Sequence, residues 1–261
     1  MLKILVGHSY FLRYDPKQWE RGKPYPPLAT IQVAALLREM GHAVSFFDAM
    51  LAEGVDDFRN LLREARPDVV VLYEDNFNFL TKMCLGRMRE AACQMIARAH
   101  AAGARVIVAG SDASDQPLPF LQAGADAVLV GEGVAALTLL IERLEHDPNI
   151  QTPGWVAGII GLASLPGRQM QLARIGAQPP HARLAGHPAW DLVDIPAYRS
   201  IWRERHGWFS LNMAASRGCP FRCNWCAKPI WGNHYRQRHA SEVAEEMAYL
   251  KREFAPDHIW F

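Results

Sequence analysis

At 261 residues, half of them hydrophobic, the chain is long enough to bury a sizeable core and to carry more than one domain. Its 28 basic and 27 acidic residues leave a formal charge of +1, with no basic block of the kind that binds nucleic acid or an anionic membrane. No apolar run reaches the roughly 18 residues of a membrane span, no secretory signal opens the chain, and five cysteines is an odd count for a disulfide framework, so a cytoplasmic protein is expected.

In chain order, Leu2 to Val6 reads as a strand of the buried parallel kind, and Thr30 to Met40 as an amphipathic helix closed by Gly41. Ala43 to Phe47 follows as a strand, then a helix over Asp56 to Ala65, the strand Val69 to Leu72, and a long helix from Phe79 to Ala102 ended by Gly103. The strand Val106 to Ala109, a short helix at Pro119 to Ala123, the strand Ala127 to Val130 and a helix from Val134 to Glu145 complete the series. Five strands alternating with helices predict an α/β fold, a Rossmann- or flavodoxin-like doubly wound parallel sheet over residues 1–146.

Ligands of such sheets bind beyond the carboxyl ends of the strands. Those ends are Gly7-His8-Ser9-Tyr10, Tyr73-Glu74-Asp75-Asn76, Gly110-Ser111-Asp112 and Gly131-Glu132-Gly133. Their glycines let a flat ligand approach the backbone, and their polar side chains can hydrogen-bond its rim, although turn geometry alone favours the same residue types. Gly131-Glu132-Gly133-Val134-Ala135-Ala136 also fits G-x-G-x-x-A, but it follows the fifth strand rather than the first, and no acidic strand end lies about 20 residues on.

Residues 147–205 read as a connector. Asp147 to Gly167 loses helical periodicity, Gln169 to Ile175 suits a small hairpin strand, and the prolines from Gln178 to Pro196 suit an ordered, irregular path. Trp190, Tyr198, Trp202 and Trp208 cluster after it and are expected to pack at a domain interface rather than line a site. Cys84 and Cys93 are expected to be small apolar side chains in or near the core.

Within residues 206–261 lies Cys219-Pro220-Phe221-Arg222-Cys223-Asn224-Trp225-Cys226, a C-x3-C-x2-C loop. Three thiolates at this spacing can hold three irons of a [4Fe-4S] cube and leave the fourth open to a ligand. A Cys3His zinc site completed by His206, His234 or His239 is the alternative, set against by the habit of zinc ligands to come as two close pairs.

The cysteine loop resembles the signature of the radical S-adenosylmethionine (SAM) superfamily, C-x3-C-x-aromatic-C, with Trp225 in the aromatic position. Leu211 to Ala215 as a strand, Ser241 to Phe254 as a helix with Ser241 as N-cap, and a strand from His258 then make the first βα unit of a partial (β/α) barrel. Gly124-Ala125-Asp126-Ala127-Val128-Leu129-Val130-Gly131-Glu132-Gly133 resembles the G-x-D-x-V-V-x-G-E-G stretch of cobalamin (B12)-binding domains that precede radical SAM domains. Pro26-Pro27-Leu28 and Pro188-Ala189-Trp190-Asp191 fit the same family.

This resemblance implies three cofactors: a [4Fe-4S] cluster on Cys219, Cys223 and Cys226, SAM beside Trp225 and Phe221, and cobalamin at the four strand ends. It further implies methyl transfer to an unactivated carbon of a small-molecule substrate through a deoxyadenosyl radical, with a flavodoxin- or ferredoxin-type electron donor. Ring rearrangement and oxidative cyclisation are the family's other outcomes, and a corrinoid-only module or a cluster-only electron carrier are the rival classes. The D-x-H-x-x-G string that brings a histidine to cobalt is absent, so cobalamin is expected to bind without one, with Tyr10, Phe11 or the loop after Tyr73 facing the corrin. No catalytic side chain is assigned. A chain stopping at Phe261 lacks further barrel units and is expected to bind cobalamin but to turn over little by itself.

Overall fold

The computed structural model describes residues 1–74, 84–150, 152–165, 170–172, 187–221, 223 and 235–261. Asp75, Asn76, Trp225, Cys226 and His234, the start of the long helix expected from Phe79, and most of the strand expected at Gln169 to Ile175 lie outside the described residues.

The first layer sandwich contains β1 (Lys3–Gly7), a 3-10 turn (Leu12–Tyr14), α1 (Pro16–Arg21), α2 (Leu28–Glu39), β2 (Ala43–Phe47), α3 (Val55–Ala65) and β3 (Val69–Tyr73). It continues with α4 (Leu85–Ala101), β4 (Arg105–Ala109), α5 (Ser111–Asp115), α6 (Pro117–Gln122), β5 (Ala127–Leu129) and α7 (Val134–His146). These five strands run parallel in the order β2-β1-β3-β4-β5. β3 is buried along its whole length, and its alternate residues feed opposite cores. Val69, Val71 and Tyr73 pack with Val33, Leu37, Leu137 and Leu140 of α2 and α7, whereas Val70 and Leu72 pack with Phe58, Leu62, Met95 and Ile96 of α3 and α4. Each such aliphatic side chain contributes about 1.5–3 kcal/mol when fully withdrawn from water.

The connector adds to this sheet. After α8 (Thr152–Val156), β6 (Leu162–Ser164) pairs antiparallel with β5, and β7 (Gln171–Leu172), within the hairpin strand expected at Gln169 to Ile175, pairs antiparallel with β6, so the connector extends the five-stranded sheet to seven strands. Trp155 anchors the addition: it is fully buried and its indole N–H donates to the Leu140 carbonyl at 2.9 Å.

A 3-10 turn (Trp190–Leu192) leads to α9 (Ile195–His206), which Asp194 caps by accepting from the Ala197 amide at 3.0 Å and which Gly207 ends in the left-handed region. The rest comprises β8 (Ser210–Asn212), β9 (Ser216–Gly218), β10 (Tyr235–Gln237), α10 (Ala240–Phe254) and β11 (His258–Trp260). β8, α10 and β11 form a parallel βα unit, as expected. β9 and β10 form an antiparallel pair that embraces the cysteine loop, which the sequence reading did not foresee. α10 begins one residue earlier than expected, because the His239 imidazole rather than Ser241 accepts from the first-turn amide.

The two parts share one core. Tyr10, Leu28, Ile31 and Met50 from the sandwich pack with Trp190, Tyr198, Trp202, Phe209, Leu211 and Leu250 from beyond the connector. Trp190, Tyr198 and Trp202 are thus interface side chains, and Trp208 is partly buried beside them. Cys84 joins this core, while Cys93 is half-buried; burial pushes both thiols above their ordinary pKa.

Candidate functional site

The order 2-1-3-4-5 places a topological switch point between β1 and β3, where neighbouring connections leave for opposite faces and open a crevice at the carboxyl edge. The loops there are tied across the crevice. The Ser9 amide donates to Glu74 Oε1 at 2.8 Å, joining the β1 and β3 ends, and the Tyr73 hydroxyl donates to the Glu132 carbonyl at 2.6 Å, joining β3 to the turn after β5. Thr30 Oγ1 donates to the Tyr73 carbonyl at 2.7 Å, fastening the first turn of α2 to the same edge.

Glycine is required at two of these turns. Gly110 has φ +148°, and a Cβ on it would lie 2.6 Å from the Glu74 Cβ; Gly133 has φ +66°, and its Cβ would meet the Leu129 Cβ at 2.4 Å. Gly131 also has positive φ, and its amide donates to Ser114 Oγ at 3.0 Å. Gly7 packs against Phe47, Ser111 is buried, and Asp112 forms an ion pair through both its oxygens with Arg89 of α4. The backbone of the edge, rather than a set of free side chains, is therefore what these turns offer a ligand.

His8 is almost fully buried, and both its ring nitrogens are engaged. The Tyr10 amide donates to Nδ1 at 3.3 Å, so the proton sits on Nε2 and is donated to Asp48 Oδ1 at 3.1 Å. Asp48 also accepts from the Met50 amide at 3.1 Å and, through Oδ2, from the Tyr198 hydroxyl at 2.8 Å. Burial, then the adjacent Asp48 carboxylate, hold that hydroxyl well above the usual phenol range, so it stays a donor. Replacing Tyr198 by phenylalanine is expected to cost about 1–3 kcal/mol, the penalty for a buried acceptor losing its donor, measured as a lower urea midpoint with an unchanged slope. Tyr10 donates its hydroxyl to Asp15 at 2.8 Å, and Phe11 is a core ring stacked on Tyr14.

The cysteine loop is attached to this same edge. β9 ends at Gly218, followed by half-buried Cys219, exposed Phe221 and exposed Cys223. Asn212, at the carboxyl end of β8, donates to the Pro26 carbonyl just before α2 at 3.0 Å, and Arg217 of β9 donates to Gln32 of α2 at 2.8 Å. Thiolates are the ligands that iron-sulfur clusters take, and the described pair suits that donor chemistry. Two of the histidines that could complete a zinc site are committed elsewhere: His206 Nε2 lies 3.0 and 3.1 Å from the Arg21 and Gly22 carbonyls, and His239 caps α10.

At the opposite edge, a cleft of about 530 Å³ is lined by residues including Asp68, Arg105, Asp126 and Asn149. Arg105 pairs with Asp126 at 3.1 Å, and Asp68 accepts from the Lys3 amide at 2.7 Å. No helix among the described residues is long and apolar enough to cross a membrane.

Comparison with known proteins agrees with this geometry. Residues 20–141 match the B12 binding domain family. The chain is 28% identical over 163 residues, 62% of its length, to an uncharacterized methyltransferase, sll1242, of Synechocystis sp., of which it covers 25%. It is 29% identical over 238 residues, 86% of its length, to hopanoid C-3 methylase of Methylococcus capsulatus, of which it covers 40%. Its fold superposes on the cobalamin-dependent SAM radical enzyme OxsB, solved with aqua-cobalamin and SAM, with a TM-score of 0.73 at 16% identity, covering 99% of this chain and 33% of OxsB. The chain thus spans well under half of each of these proteins. Residues 20–141 are similar to B12-binding domains, and the chain has the fold of the corresponding part of OxsB.

Proposed function

We propose that the chain serves a cobalamin-dependent radical SAM methyltransferase, holding cobalamin at the carboxyl edge of its sheet and a [4Fe-4S] cluster on Cys219, Cys223 and Cys226. The observation that carries this reading is the attachment of β9, which runs into Cys219, to the α2 end of the B12-binding crevice through Arg217 and Gln32. When bound, the cluster with SAM supplies radical chemistry and cobalamin supplies a methyl carrier.

The chain's own residues form the frame. Backbone groups at Gly7 to Tyr10, Tyr73 to Glu74, Gly110 to Asp112 and Gly131 to Gly133 contact the corrin, and the ties Ser9–Glu74 and Tyr73–Glu132 hold them in place beforehand. Asp75 and Asn76, which follow Glu74 in sequence, are proposed as further cobalamin contacts, and Phe221 and Trp225 as SAM contacts. The substrate is a small molecule placed between the two cofactors, and the electron for SAM cleavage comes from a flavodoxin- or ferredoxin-type donor. The shared interface core built on Trp190, Tyr198 and Trp202 excludes water between the parts.

Visible absorption with cobalt and iron analysis of anaerobically purified protein tests this reading. Both cofactors together are expected; corrinoid without iron, or iron without corrinoid, would replace the reading with a corrinoid module or an electron carrier. Because both nitrogens of His8 are engaged, reduced cobalamin on the protein is expected to show a cobalt EPR spectrum without coupling to a protein nitrogen, unchanged in a His8→Asn variant that still binds it. A nitrogen-split spectrum that His8→Asn abolishes would make His8 a cobalt ligand.

A further inference from the structure

Arg217 has an unusual position for a residue two places before a cysteine ligand. Its guanidinium spans outward to two separate elements of the B12-binding domain. One arm, Nη2, donates to Gln32 Oε1 at 2.8 Å, and the other, Nη1, lies 4.0 Å from Glu132 Oε2. Gln32 sits in the first turns of α2, whose Thr30 is bonded to the Tyr73 carbonyl, and Glu132 is the central residue of the turn whose carbonyl accepts from the Tyr73 hydroxyl. Both attachment points therefore lead back to Tyr73, at the end of the central strand β3.

From this geometry we infer that Arg217 is a positioning residue that sets the separation and orientation of the cysteine loop relative to the corrin crevice. The inference rests on the two-cofactor reading above. The physical argument is one of leverage. β9 carries Arg217 on one short, three-residue strand that runs directly into Cys219 and, among the described residues, pairs as a strand with β10, so its place relative to the sandwich depends on contacts made by its side chains. A planar guanidinium that engages two partners fixes direction as well as distance, which a lysine ammonium cannot reproduce. The side chain is one-third exposed, and the Glu132 contact is at the limit of an ion pair, so its worth lies in geometry more than in stability. Asn212 tethers β8 to Pro26, so the Arg217 contact is the one that ties β9 itself to α2 among the described hydrogen bonds. A methyl group carried by cobalamin to a substrate held beside the cluster needs reacting atoms aligned, and small misplacements cost rate without loss of either cofactor.

The test uses the whole protein, reconstituted anaerobically with iron, sulfide and hydroxocobalamin and then reduced, so that the cluster and cob(II)alamin are both paramagnetic. Their magnetic interaction, read from the relaxation and splitting of the cobalt EPR signal, reports the distance between them. Arg217→Gln and, separately, Gln32→Leu are expected to lose or spread this interaction while cobalt and iron contents stay at wild-type levels, with Arg217→Lys failing to restore it. Gln32→Leu leaves the cysteine strand unaltered, so it keeps the test decisive if Arg217→Gln fails to assemble its cluster. An interaction unchanged in Gln32→Leu and in a fully loaded Arg217→Gln overturns the inference and leaves the two-cofactor reading standing. A wild-type protein that lacks one cofactor overturns both.

Discussion

Replacing Cys219 or Cys223 by alanine is expected to abolish iron retention, while cobalamin binding persists within about twofold of wild type. The asymmetry follows from where each group is anchored. Cys219 and Cys223 follow β9 and are not among the buried residues of the core that joins the two halves, whereas the carboxyl edge is built from the ends of β1, β3, β4 and β5. Three thiolates are the minimum that holds a cube with one open iron, so the loss of one leaves too few ligands for a stable cluster. Iron and sulfide analysis and a cobalamin titration check the two parts separately. Wild-type iron and sulfide content in either variant would remove that cysteine from the cluster.

Gly110→Ala is the substitution expected to damage the B12 crevice most. Its Cβ would have to share space with the Glu74 Cβ at 2.6 Å, and an alanine at φ +148° is strained whatever the space around it. Moving Glu74 away breaks its bond to the Ser9 amide and separates the β1 and β3 loops at the switch point. A stability loss of about 2–4 kcal/mol is expected, as backbone strain and a lost charge-assisted hydrogen bond combine. Cobalamin affinity should fall by about tenfold or more, since a crevice no longer held in its binding shape carries an added ordering cost. Gly41→Ala is the matching control. It too has a positive φ, +88°, but nothing lies within 4 Å of its Cβ, so it should cost only about 1–2 kcal/mol and leave cobalamin affinity unchanged. Equal losses of affinity in the two variants would show that general destabilisation, not the Glu74 latch, governs binding.

The parts of the fold that were legible in the chain are those whose signal is local. Leu2 to Val6, Val69 to Leu72 and Val106 to Ala109 are continuous aliphatic runs because they are covered on both faces, and the structure places them as central strands. Strand order carries no such local mark, so the 2-1-3-4-5 arrangement and its switch point emerge only from the structure. β9 and β10 escaped notice for a different reason. Ser216-Arg217-Gly218 and Tyr235-Arg236-Gln237 have no apolar alternation, since the hairpin is solvent-facing and its role is to frame a loop. β6 was obscured by brevity, three residues long, whereas β7 falls within the hairpin strand expected at Gln169 to Ile175.

The site shows the same division. Glycines and polar residues at strand ends pointed to the carboxyl edge, as the rule for doubly wound sheets requires. What those side chains do there was not legible. Asp112 and His8 both stand among the strand-end residues in sequence, but Asp112 pairs with Arg89, and His8 is bonded to Tyr10 and Asp48. The Tyr198–Asp48 bond joins residues 150 positions apart, and Arg217 reaches 185 positions back to Gln32. Long-range polar ties of this kind leave no periodic trace, because a single partner decides each one.

Hydrogen exchange of the 261-residue chain with and without hydroxocobalamin tests the central claim most directly, that the cofactor docks at the carboxyl edge of the sheet against the strand leading to the cysteines. The account predicts slowed exchange at the turns around residues 7–10, 110–112 and 131–133 and at residues 216–218 of β9. Protection centred instead on the opposite edge, around Asp68, Arg105 and Asp126, or no protection at saturating cobalamin, would contradict it.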